Sequence, residues 1–136
     1  MPEPFTFDLV SPEKLLLSED VEMVVVPGAE GDFGVLIGHA PLISALRPGV
    51  INTYTGTTVE KRIFVAGGFA EVTGERCTVL AEEAMPVEDI DPAEAEARIA
   101  SAREALGEAD NDLARGQAES ALAVAEAMAA ARGTAA

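Results

Sequence analysis

The sequence predicts an α+β protein: an N-terminal antiparallel β-sandwich of about nine or ten short strands in residues 1–86, then a C-terminal antiparallel two-helix hairpin in residues 87–136. Three observations lead there. Composition changes near Met85 and Pro86: nine of the twelve glycines, seven of the eight prolines and all six aromatic residues lie at or before that point, whereas 18 of the 50 residues beyond it are alanine. Apolar residues alternate with period two before the change and recur at helical spacing after it. A helix start signal, Asp91-Pro92 with Glu94, follows closely.

Phe5, Phe7 and Leu9 alternate with Thr6 and Asp8, the pattern of a strand with one buried face. Val21, Met23 and Val25 form a second such set, alternating with Glu22 and two further valines. Turn signals then recur at Ser11-Pro12, Pro27-Gly28, Gly38, Arg47-Pro48-Gly49, Thr55-Gly56-Thr57, Gly67-Gly68 and Gly74-Glu75, each bounding a segment of strand length. Residues 50–54, 58–65, 69–73 and 77–81 are expected to pair as successive antiparallel strands. No segment has room for a crossover helix, so a parallel sheet is not expected.

A short linker is expected at residues 86–89. In the helical half, Asp91 can accept from first-turn amides, Pro92 presets φ at the first helical position, and Glu94 completes a capping box. The first helix therefore begins at Pro92, with an apolar stripe of Ala95, Ile99, Ala102 and Leu106 and with Gly107 placed to end it in a left-handed conformation. Asp110, Asn111 and Asp112 offer the next N-cap, and Ala114, Ala118, Ala121, Leu122, Ala125 and Ala129 form the second stripe. Burial contributes roughly 0.8 kcal/mol per methylene-sized group, so stripes made mostly of methyl groups predict a weakly held, movable hairpin. Gly116 weakens the second helix by a further ~1 kcal/mol.

Charge and residue inventory exclude several function classes. Lys and Arg number 9 against 24 Asp and Glu, a formal charge of -15, so nucleic acids and anionic membrane surfaces are repelled and direct lipid insertion is not expected. The one cysteine, Cys77, cannot form an internal disulfide and is expected to pack as a small apolar residue; the one histidine, His39, cannot build a multi-histidine metal site. No metal and no cofactor are expected. The first ten residues lack the basic and apolar regions of a signal peptide, and no run of about 18 apolar residues occurs, which leads to the expectation of a soluble chain, still able to dock on a membrane complex, from a bacterial or organelle-encoded source. There is no Gly-x-Ser-x-Gly elbow, and the neighbours Glu19-Asp20 and Glu82-Glu83 would point to opposite strand faces, so no catalytic residue is assigned.

Two segments keep alternative readings. The run Gly28-Ala29-Glu30-Gly31-Asp32-Phe33-Gly34 lacks the Gly-Lys-Ser/Thr ending of a phosphate loop, and its acidic residues would repel phosphate. It is either a pair of β-turns with an exposed acidic tip or a rigid frame that displays Asp32 to a basic partner. His39, between Gly38 and Ala40-Pro41, is either a turn histidine bonded to nearby backbone or an interface residue.

Pro27-Gly28, Gly31 to Leu36 (GDFGVL), Gly38-His39-Ala40-Pro41-Leu42, Pro48-Gly49, Gly67-Gly68-Phe69 and Thr78 to Ala81 (TVLA), in this order and followed by an alanine-rich hairpin, resemble the ε subunit of bacterial and chloroplast F-type ATP synthases, whose mitochondrial counterpart is called δ. The resemblance spans nearly the whole chain. It implies a non-catalytic central-stalk subunit of a proton-translocating rotary complex, bound to the γ subunit and seated on the c-ring at the cytoplasmic face of the bacterial inner membrane. It further implies a c-ring contact through Asp32, helped by Glu30, and a γ contact through His39, Ala40 and Pro41. A different function class, a free-standing β-sandwich binding module that dimerises through its hairpin, fits the same elements without the resemblance.

In several bacterial members of that family the hairpin extends towards the α and β subunits and inhibits hydrolysis, and in some it binds ATP through an Ile/Leu-Asp-x-x-Arg-Ala motif. The matching run here is Ile90-Asp91-Pro92-Ala93-Glu94-Ala95, with an anion, Glu94, at the arginine position, so ATP binding is expected to be weak or absent. Between Asp112 and Ala136 only Arg115 and Arg132 oppose Glu119 and Glu126 beyond Asp112 itself, which predicts at most a feeble brake.

Overall fold

The computed structural model describes residues 3–133. They divide into two compact units, split between Pro86 and Val87. The first holds ten strands: β1 (Phe5–Val10), β2 (Leu15–Val21), β3 (Met23–Gly28), β4 (Gly31–Val35), β5 (Leu42–Leu46), β6 (Gly49–Thr55), β7 (Thr58–Val65), β8 (Gly68–Val72), β9 (Arg76–Ala81) and β10 (Ala84–Pro86). They form one hydrogen-bonded array, in the order β10-β7-β6-β3-β5-β8-β9-β1-β2, with β4 added on β3. The β3 and β5 strands meet at one registered pair, Gly28 with Leu46, where one run of the array hands over to the other. Both runs share a single core, to which Val24, Val26, Ile51 and Val65 contribute from one side and Phe5, Phe7, Val72 and Val79 from the other.

The expected alternation breaks at Glu22. The chain bends there, and the buried valines of β3 are Val24 and Val26, while Met23 and Val25 are half-buried. A one-residue slip moves a strand's side chains to the other face, so one continuous period-two reading across Val21 to Val25 mixed two faces. The successive pairing expected of residues 50–81 also holds only in part: β6 pairs with β7 and β8 with β9, both antiparallel, but β7 pairs with β10 and β8 with β5. The chain crosses between runs at Gly67 and Gly68. Gly68 has φ +136°, and a Cβ on it would lie 1.9 Å from the Leu80 carbonyl oxygen, so only glycine makes this crossing without displacement. One pair is parallel, β1 with β9, in register from Thr6–Arg76 to Val10–Leu80. A parallel pair of successive strands needs a crossover helix, but here the intervening strands carry the chain back.

The second unit begins with a single 3₁₀ turn, Val87–Asp89, in place of an open linker, and Val87 and Ile90 are buried. Helix α1 runs Pro92–Glu108 and α2 runs Asp112–Gly133. Arg98 reaches Met128 while Ala105 and Ala109 lie with Ala114 and Ala118, so the helices run antiparallel. Asp91 caps α1 by accepting from the Ala93 amide at 2.9 Å, and Asn111 Oδ1 accepts from the Ala114 amide at 2.8 Å at the start of α2. Gly107 does not terminate α1: the helix passes through it and ends at Ala109, whose φ of -66° and ψ of 126° are extended. The buried stripe of α2 is Ala118, Ala125, Met128 and Ala131; Ala121 and Ala130 are exposed.

Candidate functional site

The acidic segment forms the β3–β4 hairpin, with Gly28 opposite Gly31 and Pro27 opposite Asp32. A Cβ on Gly28 would lie 2.6 Å from the Gly31 carbonyl oxygen, which explains why the narrow end of the hairpin carries glycine. Glu30 is exposed in its turn. Asp32 is on the strand beside it and forms an ion pair: Arg47 Nη2 lies 2.5 Å from Asp32 Oδ1, and Arg47 Nη1 donates to the Gly28 carbonyl at 2.6 Å. Asp32 and Arg47 are 15 positions apart, one on β4 and the other in the loop after β5, and no sequence pattern announces that they meet.

The β4 strand carries the chain from this tip to the opposite end of the sandwich. Its five residues span about 15 Å. There Gly38 donates to the Gly74 carbonyl at 2.7 Å and the His39 amide to Leu36 at 3.1 Å, which fastens the loop to the β8–β9 turn. His39 is half-buried, with Nδ1 2.7 Å from the Ala40 carbonyl oxygen, so the turn reading describes its bonding. Ala40 and Pro41 are exposed, as are the flanking Leu36, Ile37 and Leu42. Asp32 is thus brought together with Arg47, with Glu30 exposed in the adjoining turn, and His39, Ala40 and Pro41 lie at the other end.

A further surface lies on the neighbouring strands, where the sequence pattern did not single it out. Across five neighbouring strands, Ala45, Phe69, Leu80, Val10 and Leu15 stand in register on one face of the sheet. Phe69 is 57% exposed, Leu80 46% and Leu15 58%, with Ile43 exposed two residues before Ala45. Contiguous exposed apolar patches are uncommon on a water-facing sheet and are where interaction surfaces are sought. The signal was present: Phe69-Ala70 and Val79-Leu80-Ala81 are apolar on both strand faces, where a half-solvated antiparallel strand alternates with polar residues.

The remaining chemistry is structural. Asp8, buried on the sheet, accepts from Ser18 Oγ at 2.5 Å and pairs with Arg76. Cys77 is fully buried, and burial, followed by the nearby Asp8 charge, pushes its thiol up to about 12. Of the degenerate nucleotide run, Ile90 is buried and its carbonyl accepts from Arg132 Nε at 3.1 Å, Asp91 is the α1 cap, and Glu94 is exposed in the first turn. Among the described residues no three His, Cys, Asp or Glu side chains converge as a metal site would require, and no helix is long and apolar enough to cross a membrane.

Comparison with known proteins agrees with this architecture. Residues 4–87 match the family described as "ATP synthase, Delta/Epsilon chain, beta-sandwich domain". The ATP synthase epsilon chain of Rhodospirillum rubrum is 55% identical over 132 residues, covering 97% of this chain and 98% of the relative. That of Paramagnetospirillum magneticum is 57% identical over 131 residues, with 96% and 98% covered. A chain in the cryo-EM structure of the Euglena gracilis mitochondrial ATP synthase, comprising OSCP, F1 and the c-ring in rotational state 1, superposes with a TM-score of 0.80 at 28% identity, over 96% of this chain and 82% of that one.

Proposed function

The chain belongs to the ATP synthase delta/epsilon family, and from that premise we propose how its surfaces serve a non-catalytic subunit of the rotary complex. The N-terminal sandwich, residues 1–86, is the docking body. Its apolar row of Val10, Leu15, Ala45, Phe69 and Leu80, continued through Ile43 to His39, Ala40 and Pro41, binds the γ subunit. The acidic tip of Asp32 and Glu30, at the other end of β4, faces a basic loop of the c-ring.

The observation that carries this reading is the in-register apolar row on a stiff, hydrogen-bonded sheet. Transmitting torque requires a broad interface that does not slip, and burying a Phe or Leu side chain contributes about 1.5–3 kcal/mol where an exposed ion pair contributes about 0–1 kcal/mol. The row therefore supplies the grip, and the tip supplies registration and electrostatic complementarity. The chain so docked sits peripherally at the cytoplasmic face of the bacterial inner membrane, as part of the F1 sector, and couples γ rotation to proton passage through the ring.

The hairpin, residues 87–136, is at most a weak brake on hydrolysis when it reaches the α and β subunits, because its last helix offers them no net positive charge. ATP binding at Ile90, Asp91 and Glu94 is weak or absent, since Asp91 is engaged as a cap and Glu94 repels phosphate. Equilibrium titration of the purified chain checks this; micromolar ATP affinity would overturn it. The docking reading is tested by co-purification with γ in a 1:1 ratio and by charge reversal, Asp32→Lys. The reversal is expected to weaken seating on the ring by about 0.5–3 kcal/mol, read as uncoupled ATP synthesis, with γ binding retained.

A further inference from the structure

The carboxylate of Asp32 already has a cation within its own chain. Arg47 Nη2 sits 2.5 Å from Oδ1, Nη1 is bonded to the Gly28 carbonyl at 2.6 Å, and the Arg47 amide donates to the Pro27 carbonyl at 3.0 Å. The guanidinium is therefore anchored across the hairpin and does not swing free. Asp32 Oδ2 accepts no hydrogen bond among the described residues, and the side chain stays 60% exposed. One oxygen is taken and the other is open.

We propose that Arg47 is a specificity-determining competitor at the acidic tip: it holds Oδ1 of Asp32, so a partner's cation docks only by reaching Oδ2 beside a fixed like charge. The proposal rests on the reading of Asp32 as a docking carboxylate and adds how that carboxylate selects its partner. With Glu30 and Asp32 offset by Arg47, the tip presents one net negative charge in place of two. A distant cation feels little attraction from a carboxylate that is already paired, whereas one in contact with Oδ2 feels the carboxylate more strongly than it feels the guanidinium behind it. In a chain of net charge -15, which attracts basic surfaces indiscriminately at long range, this favours geometric fit over mere opposite sign. Arginine suits the task because its planar fork reaches the Gly28 carbonyl and Asp32 together.

The test adds full-length chain back to ATP synthase membranes stripped of this subunit and reads the concentration that half-restores proton-coupled synthesis, at about 0.02 M and about 0.2 M salt. Arg47→Gln is expected to lower that concentration by about two- to fivefold at low salt. The gain should shrink at high salt and vanish in the Asp32→Asn background. Because Arg47→Gln also removes the bond to Gly28, Arg47→Lys is the second variant. It keeps the charge and gives up the fork, so a competitor predicts seating close to wild type, whereas a purely structural role predicts weakening in both variants and overturns the proposal. A gain that persists in the Asp32→Asn background overturns it as well. If Asp32→Asn alone changes nothing, the docking reading of Asp32 fails, and the competitor falls with it.

Discussion

Cys77 is fully buried on the β9 strand, between β8 and β1, and it makes the fold sensitive to alkali. An acidic group whose folded pKa is raised binds its proton longer in the folded state, so its contribution is fully present below the ordinary thiol value of 9.0 and is lost as pH rises towards about 12. Stability should be flat with respect to this group up to about pH 8 and then fall by up to about 1.4 kcal/mol per pH unit. Denaturant titrations from pH 7 to 11 check it: Cys77→Ala should remove that alkaline slope while lowering stability at neutral pH. Gly68 is a backbone constraint of a different kind. Gly68→Ala must displace the Leu80 carbonyl from a positive-φ position and is expected to cost roughly 2 kcal/mol or more, read as a lowered Tm. Its place in a turn was readable from the glycine pair. The close approach to Leu80 was not, because the strand it crosses arrives 12 residues later.

At the scale of elements, local chemistry wrote the helix starts more plainly than the helix ends. Asp91 and Asn111 cap where side-chain oxygens stand next to amides they can reach, an interaction that needs nothing from the rest of the fold. Gly107 was a weaker signal, since glycine permits a left-handed stop without requiring one, and α1 continues to Glu108. Asp91→Ala should cost the hairpin about 1 kcal/mol, and Gly116→Ala, at a helical position with open space around the new methyl, should return about 1 kcal/mol. Amide exchange in α1 and α2 is the measurement: faster with the first change, slower with the second. The stripe of α2 was misread where alanines abound, because a run of small residues on every face leaves the buried side to be chosen by the partner helix. Met128 is the largest residue on that side.

For the whole molecule, the consequential feature is the separation of two surfaces on one rigid body. The acidic tip and the His39 loop occupy opposite ends of β4, and the apolar row crosses five neighbouring strands, β5, β8, β9, β1 and β2. Phe69→Glu should leave folding almost untouched, within about 0.5 kcal/mol for an exposed position, yet abolish co-purification with γ. Folding and docking are thereby separated in one variant. Removing residues 88–136 should change ATP hydrolysis by the assembled complex by less than about twofold, a ratio well under the ~1.4 kcal/mol that a tenfold brake would represent. Strong activation on deletion would show the hairpin to be a true inhibitor.

The sequence alone determined the two-part architecture, the helix caps, the family and the acidic tip, because alternation, capping and glycine turns act over a few residues and leave their mark in the order of the chain. The tertiary structure decided the rest: the phase of β3 beyond Glu22, the parallel β1–β9 pair, the apolar row assembled from five strands, and the meeting of Arg47 with Asp32. Each of these is a contact between segments distant in sequence. Side chains that far apart are coupled only through strand register and the closing of the sheet, and neither has a local signature.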